Sequence, residues 1–362
     1  MMLSLYEQFR PSLDGFVARK EPVIYDSEGT EIERDLTSLS DEDRTLLELA
    51  TMHNAIEEIA MRAQHTRIVI INETHDNPRD RAFVADIAEA LAPLGFTHYA
   101  AETFDNWGPP EAVAARMETM FRRGYAVRKD GYFSTEPAFA HALLRIFDTG
   151  YKPVSYEWTA TPEERPDTPE ESIALRETAQ AENLAAAIAA AGPDAKFLIH
   201  VGYSHAAELP FPDGQEWMAA QLKALTGIDP LTVNQTDLSE YNMPAAYSLL
   251  APRVGGTPMV LFDGEEPMHF GLNASLMDLQ VVHPPIRALG GRPDWLARTS
   301  RLAIPVPDEL MPQQGRALVQ VFLKDAGEDA VPIDQVLVQA GAEVPLLYVS
   351  TDRPYRLEVQ LD

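Results

Sequence analysis

The sequence contains no cysteine. Disulfides, thiolate nucleophiles and cysteine-ligated metals are therefore excluded, and the absence fits a reducing compartment. Positive charge is also scarce. In 362 residues, 29 lysines and arginines stand against 56 aspartates and glutamates, a formal net charge of −27. Nucleic-acid backbones and anionic membrane surfaces need a basic face, so neither is expected as a partner. The acidic surplus is expected to act through self-repulsion, which favours solubility. No segment reaches the roughly 18 apolar residues of a membrane span. The opening MMLSLYEQFRPSLDGF has neither the basic stretch nor the apolar run of a signal peptide, and a cytoplasmic location is expected. Also missing are G-x-S-x-G, G-x-x-x-x-G-K-[ST] and G-x-G-x-x-G, the marks of a serine-hydrolase elbow, a phosphate loop and a dinucleotide fold.

What is present is apolar material for a sizeable core, 45% of the residues, in a strand–helix alternation. Strand-like runs occupy 67–71, 97–102, 152–157 and 196–201. Helical patterns at 79–95, 110–124, 137–150 and 169–192 lie between them, several closed by glycine. Such alternation predicts an α/β fold: a mainly parallel sheet with helices on both faces. A further helix is expected at 38–64, with Ser40 as its N-cap and acids in its first turn. YDSEGTEIERDL, within an N-terminal arm at 1–40, reads as a turn-linked hairpin. The main domain is expected over 41–310. After about 240 proline and glycine become frequent and long helices are not expected. Alternation toward the C-terminus predicts a small antiparallel β extension over 311–362.

The ends of the four strands are unusual. RIVII runs into Asn72, Glu73 and His75; the second strand ends in Glu102, the third in Glu157, and the fourth leads through Gly202 and Tyr203 to His205. Parallel α/β sheets bind ligands at the carboxyl ends of their strands. Four ionisable ends on one sheet edge therefore point to a shared site. Glu73, His75, Glu102 and His205 offer a nitrogen and oxygen donor set for a divalent metal such as Mn, Zn, Co or Fe, which would acidify bound water. Without a metal, His75 can serve as a general base oriented by a carboxylate. With neither, the cluster is a buried polar network. On the helix at 169–192, Arg176, Gln180 and Asn183 share one face, and Arg176 is placed to reach the acids and stabilise an oxyanion. His53, His65, His98, His141 and His200 read as surface or structural residues. Phe104, Trp107, Tyr132, Phe133 and Trp158 follow the strand ends, either as an apolar cleft or as lid packing. Part of 104–136 is expected to cover the strand edge and set substrate choice.

These residues, in this order, form a pattern: N-E-x-H-D-N-P at 72–78, a second strand ending in Glu102, R-E-x-x-x-A-x-N at 176–183 and V-G-x-x-H at 201–205. The set resembles the superfamily that joins erythromycin esterases, Tiki/TraB-type proteins and ChaN-type haem-uptake proteins, over residues 65–210. The family's first motif has glycine where Asn72 stands. The resemblance implies a Tiki/erythromycin-esterase-like fold and a hydrolytic or metal- or haem-associated site built from Glu73, His75, Glu102, Arg176 and His205. Asn183 matches the family's helix; Asn72 and Glu157 are further candidates from their places at the strand ends, and Tyr203, beside His205, is a candidate haem contact. An ester or amide hydrolase acting on a small-molecule or peptide substrate is the leading expectation. A non-catalytic haem- or metal-binding protein of the ChaN type is the alternative.

Overall fold

The computed structural model describes residues 24–25, 31–32 and 38–361, except 162–163, 212–213, 272–273 and 299–300. A short antiparallel pair, β1 (Ile24–Tyr25) and β2 (Glu31–Ile32), stands where the hairpin is expected. The remainder of that arm up to residue 37 lies outside the described residues.

The expected helix at 38–64 is two helices with a strand between them. Ser40 caps α1 (Asp41–Leu49), its hydroxyl accepting from Asp43 N at 3.0 Å. The chain then enters β3 (Thr51–Asn54), whose Asn54 caps α2 (Ala55–Arg62) through the backbone N–H groups of Ile56 and Glu57. An Asn side chain that satisfies two otherwise orphan donors starts a new helix rather than continuing the old one. Pairing of β3 with a later strand completes the break.

The main sheet follows from β4 (Ile68–Glu73), β5 (Phe96–Ala101), β6 (Lys152–Val154), β7 (Lys196–Gly202), β8 (Leu231–Asn234), β9 (Met259–Asp263), β10 (Glu266–Pro267) and β11 (Leu279–Val282). Its order is β10-β9-β11-β8-β4-β7-β5-β6, with β3 joined to β9. The pairs from β11 to β6 are parallel, and β9 turns the far edge antiparallel. From β4 the chain crosses β7's place to reach β5; from β7 it crosses β4 to reach β8. The loops after β4 and β7 therefore diverge, which opens a crevice between those two strand ends.

Alternation along the strands separates two apolar layers. Val69, Ile71, Tyr99 and Leu198 face α2, α3 (Pro78–Leu91), α4 (Pro110–Arg123) and α5 (Pro137–Asp148). Ile68, Ile70, Phe197 and Ile199 face α6 (Pro169–Ala191) and α7 (Met218–Thr226). A strand buried on both faces reads as a continuous apolar run, and IVII in β4 is such a run. A helix of 11 residues, α8 (Pro244–Val254), follows residue 240 and packs on α1. Pro244 occupies its first turn, where a missing N–H is harmless.

The C-terminal part is antiparallel, as expected. Two short strands, β12 (Ala288–Leu289) and β13 (Arg292–Pro293), pair with each other. They are followed by β14 (Arg301–Ile304), β15 (Arg316–Leu323), β16 (Asp334–Gln339), β17 (Leu347–Ser350) and β18 (Tyr355–Leu361). β14 pairs with β17, and β15 sits between β16 and β18. Val319, Val321 and Val336 pack there against Leu144 of α5, which fixes this unit beside the sheet. Among the described residues no helix is long and apolar enough to cross a membrane.

Candidate functional site

Glu73 ends β4 on the face shared with Val69 and Ile71, so its carboxylate points into the layer of α3 and α5. There Arg81, from the first turns of α3, donates through Nε and Nη2 to both carboxylate oxygens, at 2.9 and 3.1 Å. The same guanidinium bonds His75 O at 2.7 Å and Glu136 at 3.3 Å, and lies over the rings of Phe139 and Phe133. His200 of β7 places Nε2 3.0 Å from Glu73, with the Tyr99 hydroxyl 2.7 Å from its Nδ1. Burial alone would raise the Glu73 pKa; the charges of Arg81 and His200 outweigh it and hold the group well below the usual carboxylate range.

This carboxylate orients His75, whose Nδ1 lies 3.0 Å from Glu73 Oε1. The ring is stacked on Phe133 at 4.2 Å and meets Tyr203 edge-on at 5.1 Å. With Nδ1–H donating to Glu73, Nε2 is left as the basic nitrogen. It faces Gly202. A Cβ at that position would stand 2.5 Å from His75 Cε1, 2.6 Å from Nε2 and 3.2 Å from Glu102 Oε2. Gly202 has ordinary extended backbone, φ −85° and ψ 146°. Its glycine is thus required for space beside His75.

Glu102 follows β5 directly, and its Oε2 accepts from Gly202 N at 2.6 Å. Its other oxygen pairs with Arg176 of α6. Arg176 also donates from Nε to Glu157 at 3.0 Å and sets Nη1 3.2 Å from His205 Nε2. The stripe along α6 behaves as its spacing implies: Gln180 Nε2 reaches both Glu157 oxygens at 3.1 Å, and Asn183 Nδ2 donates to Tyr156 O at 3.0 Å. Glu157 stands three residues beyond the end of β6 and serves as a counter-ion for Arg176.

His205 repeats the arrangement of His75. Its Nδ1 lies 2.8 Å from the carboxylate of Glu177, which is wholly buried and accepts from Met218 N at 2.8 Å. Burial disfavours the His205 imidazolium, but the Glu177 hydrogen bond and the charges of Glu102 and Glu177 prevail and raise its pKa. Glu102 is lowered: burial opposes this, and His205, Arg176 and His75 overcome it. The site therefore holds two imidazoles, each anchored at Nδ1 by a buried carboxylate, on either side of Glu102.

Asn72 is buried in a network of hydrogen bonds. Its amide donates to Tyr203 O at 3.0 Å and accepts from Gln235 N at 2.9 Å, while its carbonyl accepts from Gln235 Nε2 at 2.6 Å. Tyr203 is the one described non-glycine residue with positive φ, at +39°. That strained turn, which glycine adopts freely, is held by the side chain of Asn72.

A metal ion does not fit these residues as they are arranged. Among the described residues no group of three or more His, Asp or Glu can hold one. Each carboxylate of the expected set is turned to a guanidinium, Glu73 to Arg81 and Glu102 to Arg176, and His205 Nε2 faces Arg176 as well. Positive charge already stands where the ion would. For haem, Tyr203 is exposed but lies outside the lining of the cleft beside the cluster.

That cleft has a volume of about 800 Å³. Glu102, Glu157 and Arg176 form part of its lining, and Phe104, Trp107, Tyr132, Phe133 and Trp158 form another. Gln320, Val331, Pro332 and Gln335 of the C-terminal β unit complete it. His75 lines a smaller hollow, with Glu73 and His200, that shares Glu102 and Phe133 with the cleft. His205 lies behind Arg176 and lines neither.

Four supporting residues escaped sequence reasoning. Arg81, Tyr99 and His200 sit inside regular elements with nothing in their spacing to mark them. Glu177 is the second residue of the R-E pair at 176–177, and its position one step from Arg176 was the available signal. His141, read as surface or structural, is buried and accepts at Nδ1 from Arg301 at 3.0 Å.

No family model matches the chain, and no curated protein matches it. Among solved structures it is similar to the type III effector HopBA1, at 11% identity over 65% of this chain and 95% of that one, with a TM-score of 0.41. It is similar to ChaN of Campylobacter jejuni, a haem-binding protein, at 9% identity over 74% and 98%, TM-score 0.39. It is also similar to the C-terminal region of Pasteurella multocida toxin, at 11% identity over 89% and 52%, TM-score 0.36.

Proposed function

We propose that the chain is a hydrolase of an ester or amide bond, with water activated by His75 and with no step through a metal ion. The observation that carries this reading is the pair of carboxylate-anchored imidazoles flanking Glu102 at the edge of an aromatic cleft. In the hydrolytic step, His75 Nε2 takes a proton from water as the oxygen attacks the substrate carbonyl. Glu73 keeps the productive tautomer and stabilises the imidazolium that forms. Glu102 adds a second negative charge beside that imidazolium. Arg176, a cation on the cleft lining, stabilises the oxyanion of the tetrahedral intermediate. His75 then returns the proton to the leaving alkoxide or amine, so the products are an acid and an alcohol or amine. His205 and Glu177 act through Arg176 and Glu102 as positioning residues.

The test is a panel of 4-nitrophenyl esters and peptide anilides, in buffer treated with a chelator, with Glu102→Gln as the comparison. Turnover that survives chelation and falls in the variant supports the reading; turnover that needs added metal overturns it. A second reading, a binding protein for a flat ligand such as haem, draws on the five cleft aromatics. Titration with haem tests it: a saturable Soret shift would favour it, and no shift at micromolar haem would remove it.

A further inference from the structure

The cleft carries recognition groups that the hydrolytic step does not use. Gln320 and Gln335 face each other in register across β15 and β16. Carboxamides run in series there: Gln360 Nε2 donates to Gln320 Oε1 at 3.1 Å, and Gln320 Nε2 donates to Gln335 Oε1 at 2.9 Å. The series ends at Gln335. Gln335 lines the cleft, and its Nε2 has no partner among the described residues. A carboxamide on the cleft wall with donor capacity to spare can give a hydrogen bond to an oxygen of a ligand.

A second observation concerns charge. Lys129, with Arg128 beside it, is exposed and lines the same cleft, in a chain with about twice as many acids as bases. Within the lining, Glu102 and Glu157 are paired with Arg176, and Asp105 with Arg116 at 3.3 Å. The turn that carries Lys129 is pinned on both sides. Gly131 bridges Phe104, Val127 bridges Ala330, and Arg128 N donates to Asp329 O at 3.0 Å. A Cβ on Gly131 would stand 1.9 Å from Thr103 O, so only glycine permits that approach. The turn that carries the cation is thus held in place on a cleft wall that also includes Trp107 and Tyr132, which are 51% and 66% exposed.

Building on the hydrolase reading, we infer that the cleft selects a planar aromatic substrate that carries a carboxylate. The ring lies against Trp107 and Tyr132, an oxygen accepts from Gln335 Nε2, and the carboxylate faces Lys129. A volume of about 800 Å³ accommodates a ligand of that size.

Isothermal titration of the full chain with 2-naphthoate and with neutral 2-naphthamide at low salt tests this. Naphthoate is expected to bind about tenfold more tightly, with the preference shrinking as salt is added. Lys129→Glu should bring the ratio to about one or below. Gln335→Leu should weaken both ligands about fivefold, the loss of one hydrogen bond. Equal affinities in the parent chain, an unchanged ratio in Lys129→Glu, or no binding of either ligand would overturn the inference. Hydrolysis of the 4-nitrophenyl panel is measured on the same preparations. Selective binding without hydrolysis would sink the hydrolase reading and leave the selective cleft; hydrolysis without selectivity would do the opposite.

Discussion

Gly202→Ala isolates the geometry of His75 from its chemistry. The backbone there accepts alanine, since φ is −85°. The new methyl would stand 2.5 Å from His75 Cε1. Carbon atoms prefer about 3.5 Å or more, so the ring must withdraw by about 1 Å. Phe133, stacked at 4.2 Å, blocks a simple retreat, and the ring must tilt away from Glu73 and Glu102. A misplacement of about 1 Å costs roughly 10²-fold in rate, or about 2.7 kcal/mol of barrier. The overpacking itself costs about 1–3 kcal/mol of stability, a shift of a few degrees in Tm for a chain of this size. The assay is kcat/KM on the best ester of the panel together with a thermal melt. A folded Gly202→Ala protein with undiminished kcat/KM would refute the placement of His75 as the reacting base.

Two other outcomes follow from buried charge. Arg81→Met leaves Glu73 and Glu136 buried with their shared cation gone; it should cost about 3–5 kcal/mol, read from the urea midpoint at neutral pH, and an unchanged midpoint would show the pair to be inert. His205 has a raised pKa in the fold, so its pairing with Glu177 contributes stability fully below pH 6.5 and loses it as pH rises through the folded value. Between pH 6 and pH 9 the parent chain should therefore lose more stability than Glu177→Gln, and parallel pH profiles would contradict the pairing.

The convergence of Glu73, His75, Glu102 and His205 was legible because parallel strands buried on both faces must end abruptly, and polar residues mark those ends. Arg176 was legible for a related reason: a cation on the stripe that α6 turns to the sheet has acids within reach. What holds the imidazoles in place was not legible. Arg81 is one of several charges in a helix start, and only the fold turns it inward to Glu73. His200 looks like any strand histidine until β7 is placed beside β4. The metal expectation failed because donor type was visible and donor orientation was not: the carboxylates are spent on Arg81 and Arg176. The break at β3 was hidden by the helical periodicity on either side of it. The contribution of Gln320 and Gln335 depends on contacts between residues some 200 positions apart, from the sheet's strand ends to the C-terminal unit, which no local pattern encodes.

The most direct test of His75 as the base is turnover by His75→Ala, with and without added imidazole. The hydrolase reading predicts a fall of at least about 10²-fold, with partial recovery as imidazole fills the vacated space beside Glu73. Turnover equal to that of the parent chain, with no response to imidazole, would contradict it.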